Sequence, residues 1–206
     1  TGHATRFNRS SAWRCNLKTC ILIDSCPAEQ PPGVAAKDLV LHFARQVDSG
    51  EQFKLRHFLA GPHPPARLVV LVQYEVAKTL TASPGDLSLL GIAVQYYGHP
   101  TLVAKIAPGS FAPPPKVHSA IVQIEVYGHP PVDAPSDEAF FATVRAGFRA
   151  KRKQLRNSLS QGWGITPQQA ADLALGAGID PQRRPETLTL EEWAHLAWAW
   201  DRRNAA

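Results

Sequence analysis

The stretch Arg67-Leu68-Val69-Val70-Leu71-Val72-Gln73 decides the fold class. Its unbroken apolar centre, rich in β-branched residues, lacks the alternation of a strand with one wet face. It predicts a strand covered on both sides, the mark of a parallel sheet in an α/β fold. Upstream, Gly61-Pro62-His63-Pro64-Pro65 breaks the chain. Downstream, residues 75–82 read as a helix closed by Ser83-Pro84-Gly85. Asp86 is the expected cap of a second helix that runs to Tyr97 with Leu89, Leu90, Ala93 and Val94 inward. Residues 101–107 and 119–127 read as two further strands.

Between those two strands lies Pro108-Gly109-Ser110-Phe111-Ala112-Pro113-Pro114-Pro115-Lys116-Val117. Consecutive prolines predict an extended stretch without backbone donors. Phe111, an aromatic on a stiff loop at a sheet edge, can stack on a flat ligand or base, or can plug its own loop. Residues 128–135 are Pro-rich and form the best domain boundary. Beyond them the pattern is helical. One long amphipathic helix is expected over 138–160, with Phe141, Val144, Phe148, Leu155 and Leu159 as its apolar stripe. Thr166-Pro167-Gln168-Gln169 and Thr189-Leu190-Glu191-Glu192 are capping boxes, and Gly178 can close the helix between them.

The same helix carries the main charge feature. Arg145, Arg149, Arg152 and Arg156 are spaced four, three and four apart, a single helical stripe, flanked by Lys151 and Lys153. Like charges at this spacing repel, so an anionic partner is the natural compensation, and a phosphate backbone fits a linear basic stripe. The alternative is a solvated basic face. Lys116, in the proline loop, joins the candidate RNA-binding set.

Composition narrows the classes. The 206 residues, 44% hydrophobic and 19% charged, are enough for one large domain or two small ones. No apolar run is long enough to span a bilayer and no signal peptide opens the chain, so no membrane role is expected. Lys and Arg total 22 against 17 Asp and Glu, a modest basic excess. The chain contains no Met, which predicts a processed product or a piece of a longer protein. Cys15, Cys20 and Cys26 form no disulfide framework and imply a reducing compartment. C-x4-C-x5-C lacks a close Cys pair and a fourth ligand, so no metal is expected. Residues 1–52 show no sustained periodicity beyond a short helix over 38–47, and are unassigned, non-native or disordered. There is no Gly-rich strand-to-helix turn, P-loop or nucleophile elbow. Residues alone therefore lead to an α/β sheet, a basic helical module and a nucleic-acid partner.

With the segment Phe111-Ala-Pro-Pro-Pro-Lys-Val-His-Ser-Ala120 the chain resembles the rRNA adenine dimethyltransferases, in particular the small-subunit enzymes of the kasugamycin-resistance type. Leu55-Arg-His-Phe-Leu59, Arg67 to Ala77, Pro84-Gly-Asp-Leu-Ser-Leu-Leu90 and Val94-Gln-Tyr-Tyr97 agree in order. So do Lys151-Arg-Lys-Gln-Leu-Arg-Asn157 and Gly178-Ile-Asp-Pro-Gln-Arg-Arg-Pro-Glu-Thr-Leu188. The resemblance covers roughly residues 53–200, the C-terminal part of the family pattern. Where the family's Asn-Leu-Pro-Tyr motif would precede Leu55, the chain reads Val47-Asp-Ser-Gly-Glu-Gln-Phe53. Tyr74 stands where the family usually has a basic residue, and His118 where it has Asp.

The resemblance implies the late strands of a Rossmann-like S-adenosylmethionine methyltransferase domain over 53–130 and a small all-α, rRNA-binding domain over 131–206. It implies dimethylation of small-subunit rRNA adenines in ribosome biogenesis, a cytoplasmic setting, and Phe111 stacked on the extruded target base. S-adenosylmethionine is the family's cofactor. Residues 1–52 match none of its binding motifs, so this chain is expected neither to bind it nor to be active alone. The alternatives are a non-catalytic RNA-binding module or pseudoenzyme, and a large-subunit rRNA adenine methyltransferase of the antibiotic-resistance type.

Overall fold

The computed structural model describes residues 20–24, 59, 64–150 and 152–205. The strand that decides the fold class has the expected bounds: β2, Arg67–Gln73. Helices α1 (Tyr74–Leu80) and α2 (Leu89–Tyr97) follow, then β3 (Gly98–Ile106) and β4 (Ser119–Val126). With β1 (Cys20–Asp24) they form one sheet in the order β1-β2-β4-β3. Every pairing in it is antiparallel, which corrects the expectation of parallel neighbours for β2. β2 and β3 do run the same way, joined by two helices, but β4 slots between them and opposes both. An apolar run reports burial and carries no information on the direction of the strands beside it.

Burial along β2 alternates, with Leu68, Val70 and Val72 buried and Val69 and Leu71 only partly so. Register places Leu68 opposite Ile124, Val70 opposite Val122 and Val72 opposite Ala120, all six buried. Ala77 and Leu80 of α1 belong to the same core. Each large side chain buried there is worth about 1.5–3 kcal/mol.

A second correction concerns the first 52 residues, where no packed element is expected. Cys20–Asp24 pairs along β2, with Cys20 opposite Leu71 and Asp24 opposite Arg67. Ile21-Leu22-Ile23 is too short to stand out beside cysteines and prolines, and the open edge of β2 is what makes it a strand. The readings of Cys15, Cys26, a helix over 38–47 and residues 55–58 lie outside the described residues.

Ser83-Pro84-Gly85-Asp86 closes a tight turn, the Asp86 N–H donating to the Ser83 carbonyl at 3.1 Å with Gly85 at φ +117°. Asp86 is thereby part of the turn, and Ser88 caps α2 instead, its Oγ accepting from the Gly91 N–H at 3.1 Å.

The helical part comprises α3 (Asp137–Gly147), α4 (Leu155–Trp163), α5 (Pro167–Gly176) and α6 (Leu190–Ala205). Both capping boxes form: Thr166 with Gln169 at 3.2 and 3.1 Å, and Thr189 with Glu192 at 3.2 and 2.8 Å. Gly178, at φ +77°, closes α5, and the Ile179 N–H returns to the Ala174 carbonyl at 2.8 Å.

The single helix expected over 138–160 is two helices, α3 and α4, with a turn between them. Phe148 leaves the helix and packs against Trp193, with ring centroids 5.8 Å apart. Gln154 is extended, at φ −61° and ψ 152°, and α4 folds back so that Gly162 abuts Ala146 of α3 with no room for a Cβ. Gly147 ends α3 at the edge of the break, and no Gly or Pro lies within residues 148–154. Folding back buries Leu155 and Leu159 in the shared core, which a straight helix could not do.

Candidate nucleic-acid interface

Phe111 sits at the end of the sheet where β2 finishes. β3 ends at Ile106 opposite Ser119, and residues 107–118 span the gap. A short 3-10 turn, Pro108–Ser110, starts this loop, and the Phe111 N–H closes it on the Pro108 carbonyl at 3.2 Å. The returning foot is fixed by the first amide of α1, which donates from Tyr74 to the His118 carbonyl at 2.9 Å. The Ala112–Pro113 peptide is cis. Phe111 itself is half-buried, and no described ring packs against it.

Charge gathers beneath this loop in a way the sequence reading missed. Lys105 Nζ lies 4.3 Å from the Tyr74 ring centroid and Lys78 Nζ 5.5 Å from it. Lys78 is also bonded to Glu75 at 2.7 Å, and that bond raises its pKa. The Tyr74 ring thus collects two cations. The available signal is the position of Lys105 next to the end of β3, on the strand that feeds the Phe111 loop. Lys116 is exposed on the loop.

The arginines are not on one helix, a direct consequence of the break between α3 and α4. Arg145 lies in the last turn of α3, Arg149, Arg152 and Lys153 lie in the connection, and Arg156 opens α4. All five are exposed, and none pairs with a described acid. Lys151 lies outside the described residues. The connection is nevertheless well held. Buried Ser158 donates to the Ala150 carbonyl at 3.0 Å, the Lys153 N–H meets the same carbonyl at 2.8 Å, and Gln154 Oε1 accepts from Arg156 Nε at 3.1 Å. A compact cationic turn replaces the linear stripe.

The turn is also closed from the far side. The Leu155 and Arg156 amides donate to the carbonyls of Arg183 (2.7 Å) and Pro181 (3.1 Å). The first amides of α4 are therefore occupied, and attraction for an anion there comes from side chains. Arg183 itself is turned inward. Its Nη1 and Nη2 bond Glu192, the latter at 3.0 Å, and Nη2 also reaches the Thr187 carbonyl at 2.7 Å. Burial opposes ionisation of Glu192, but Arg183 and the Thr189 N–H outweigh it and hold the carboxyl below its usual range.

Among the described residues no group of His, Cys, Asp and Glu is placed to hold a metal. No helix there is long and apolar enough to cross a membrane. An open groove of about 460 Å³ between α5 and α6, lined in part by Asp172, Arg202 and Arg203, includes none of the expected site residues.

Comparison with known proteins bears directly on this arrangement. A family model described as ribosomal RNA adenine dimethylase matches residues 49–200. A protein named ribosomal RNA small subunit methyltransferase A from Dehalococcoides mccartyi strain CBDB1 is 47% identical over 142 residues, 69% of this chain and 49% of that protein. Its namesake from Alkaliphilus metalliredigens is 41% identical, over 68% of this chain and 50% of that protein. The chain spans about half the length of these curated relatives. The 23S rRNA methyltransferase ErmE superposes with a TM-score of 0.52 at 23% identity, over 70% of this chain and 58% of that one. A dimethyladenosine transferase from Plasmodium falciparum gives 0.59 at 19%, over 74% and 62%. These two likenesses show the fold, the mixed α/β arrangement of Rossmann-like proteins, here with β4 inserted antiparallel between β2 and β3. On the match that covers most of its length, the chain belongs to the ribosomal RNA adenine dimethylase family.

Proposed function

We propose that this chain provides the rRNA-binding and base-holding part of an S-adenosylmethionine-dependent rRNA adenine dimethyltransferase acting on small-subunit rRNA in the cytoplasm. The observation that carries the reading is the cationic turn: Arg145, Arg149, Arg152, Lys153 and Arg156 are exposed, have no described acidic partner, and are held on an anchored backbone. A surface that concentrates uncompensated positive charge in this way fits a phosphate backbone. The small-subunit preference rests on the names of the curated relatives.

In this reading residues 53–130 are the C-terminal part of the methyltransferase domain and residues 131–206 the rRNA-binding domain. Phe111 stacks on an adenine taken out of its helix, and the loop's two fixed feet keep the ring in place. Phosphate contacts at the turn hold the RNA while that base is presented, so the contribution of these residues is positioning.

S-adenosylmethionine supplies the methyl group in this chemistry. The described residues do not fit it. The β-to-α junction Gln73–Tyr74 has no glycine to admit a cofactor, and Glu75 beside it is bonded to Lys78. We therefore expect calorimetric titration of this chain with S-adenosylmethionine to show no micromolar binding, and such binding would overturn that part of the reading.

The test of RNA binding is filter binding of a small-subunit 3′ rRNA fragment at several salt concentrations. Replacing Arg149, Arg152 and Arg156 together by Gln keeps good helix formers and removes three charges. The slope of log affinity against log salt should fall by roughly 2–3 units. An unchanged slope would reduce the turn to a solvated basic surface.

A further inference from the structure

We propose that Tyr74 is a positioning residue for Phe111: its amide and its ring hold the two opposite feet of the Phe111 loop, with Lys105 as the ring's partner. The inference deepens the base-stacking reading of Phe111 above and rests on it.

The register across the sheet shows what this side chain has to bridge. Val72 pairs with Ala120 and Gln73 with Ser119, while Lys105 and Ile106 meet the same two residues from the other side. β4 thus separates Tyr74, the residue after β2, from Lys105 on β3, and two strand spacings come to about 9–10 Å. The Tyr74 N–H crosses the first gap, donating to the His118 carbonyl at 2.9 Å just before β4 begins. The ring crosses the second, with Lys105 Nζ 4.3 Å from its centroid. One residue therefore grips the strand that enters the loop and the residue that leaves it.

The ring acts on an outer strand. β3 stands at one end of the described sheet, and its register shifts between Leu102 and Ala104. The end of such a strand opens at low cost, so a further tie there counts. The Ser110 and Phe111 amides close on the Ala107 and Pro108 carbonyls at 3.1 and 3.2 Å, so the turn that carries Phe111 follows the end of β3 as one unit. No described ring packs against Phe111, and that unit sets where its ring stands. Tyr74 is itself packed against the core, which gives the tie a firm base. Lys78 Nζ lies 5.5 Å from the same centroid, but Glu75 pairs with it at 2.7 Å, which offsets the repulsion Lys105 would otherwise meet. At an exposed site, a cation over a ring is worth a factor of about two to five in an equilibrium constant. A loop that spends part of its time out of place loses apparent affinity in that proportion.

The experiment measures binding of the small-subunit 3′ rRNA fragment at several salt concentrations, with thermal melting of each variant. Tyr74→Leu removes the ring and keeps the amide, and Lys105→Gln removes the cation from an exposed residue. Each should weaken binding about two- to fivefold, while Tyr74→Phe and Lys105→Arg should bind like the wild type. Lys105→Gln should leave the salt slope and the melting temperature unchanged, and it carries the test if Tyr74→Leu is less stable. In a Phe111→Ala background both losses should vanish, because a clamp with no ring to place contributes nothing. A loss that persists in that background would overturn the inference and make the residue a separate contact. A salt slope lower by about 0.7–0.9 units in Lys105→Gln would overturn it too, by making the lysine a phosphate ligand. Unchanged affinity in Lys105→Gln, with Phe111→Ala still weakened, would sink the clamp and spare the stacking reading. Unchanged affinity in Phe111→Ala would remove that reading and the inference together.

Discussion

Tyr97 Oη donates to Asp137 Oδ2 at 2.7 Å, so the last residue of α2 is bonded to the first residue of α3. Tyr96 takes the other oxygen at 2.9 Å. Around this carboxylate Tyr96 stacks on Phe140, with centroids 4.4 Å apart, and Tyr97 stacks on Phe141 at 5.8 Å. The carboxylate also lies in the first turn of α3, where helix amides favour negative charge. One side chain therefore joins the sheet part to the helical part.

Replacing Asp137 by Ala should cost roughly 2–4 kcal/mol, because two largely buried hydroxyls lose a charged acceptor. Urea unfolding checks it; a loss below about 0.5 kcal/mol would show that water replaces the carboxylate. Tyr96 adds a pH signature. Burial, reinforced by the bond to Asp137, raises its pKa. A raised folded-state pKa means that its contribution is complete below the unfolded value of about 10 and is lost as pH rises above it. Melting temperature should fall more steeply above pH ~10 in the wild type than in Tyr96→Phe.

Gly147 ends α3 where a Cβ would collide with the Trp193 indole. Gly147→Ala should destabilise by about 1–3 kcal/mol through overpacking, despite alanine's better helix propensity. Gly176, at the end of α5, faces open space. Gly176→Ala should be neutral or stabilise by up to ~1 kcal/mol. Thermal melts of the pair check the contrast, and equal effects would refute it.

The pair Arg183–Glu192 makes an acid-side prediction. The Glu192 carboxyl is held below its usual range in the folded chain, so its contribution is present above the unfolded value of about 4.3 and is lost as pH falls through the lower folded value. Both partners are partly exposed, so the effect is modest. A plot of melting temperature against pH from 6 to 2 should be shallower for Glu192→Gln than for the wild type, and identical slopes would contradict the assignment.

Phe111→Ala should weaken binding of the 3′ rRNA fragment by about 1–3 kcal/mol while leaving the salt slope unchanged, because stacking moves no counterions. A loss of thermal stability with unchanged RNA affinity would instead make Phe111 a plug for its own loop.

Local physics made a large part of this chain legible from its sequence. β2 kept its bounds because an apolar β-branched run between breakers has one good fate, a buried strand. The capping boxes at Thr166 and Thr189 formed because their donors and acceptors are three residues apart and need no distant partner. Phe111 and the five described cations of the turn were named by residue type and spacing alone, and all six are at least partly accessible. Tertiary structure decided what depends on distant residues. β4 settled between β2 and β3, and β1 closed the edge of β2, because strand hydrogen bonds are completed by whatever edge is near in space. The helix expected over 138–160 broke where folding back buries Leu155 and Leu159 in the shared core and sets Phe148 against Trp193, far away in sequence. That break turned a linear stripe into a compact turn, and the Pro181 and Arg183 carbonyls closed it from the far side. The helical period of 145–156 shows which residues carry charge, but only packing fixes where those charges lie relative to one another.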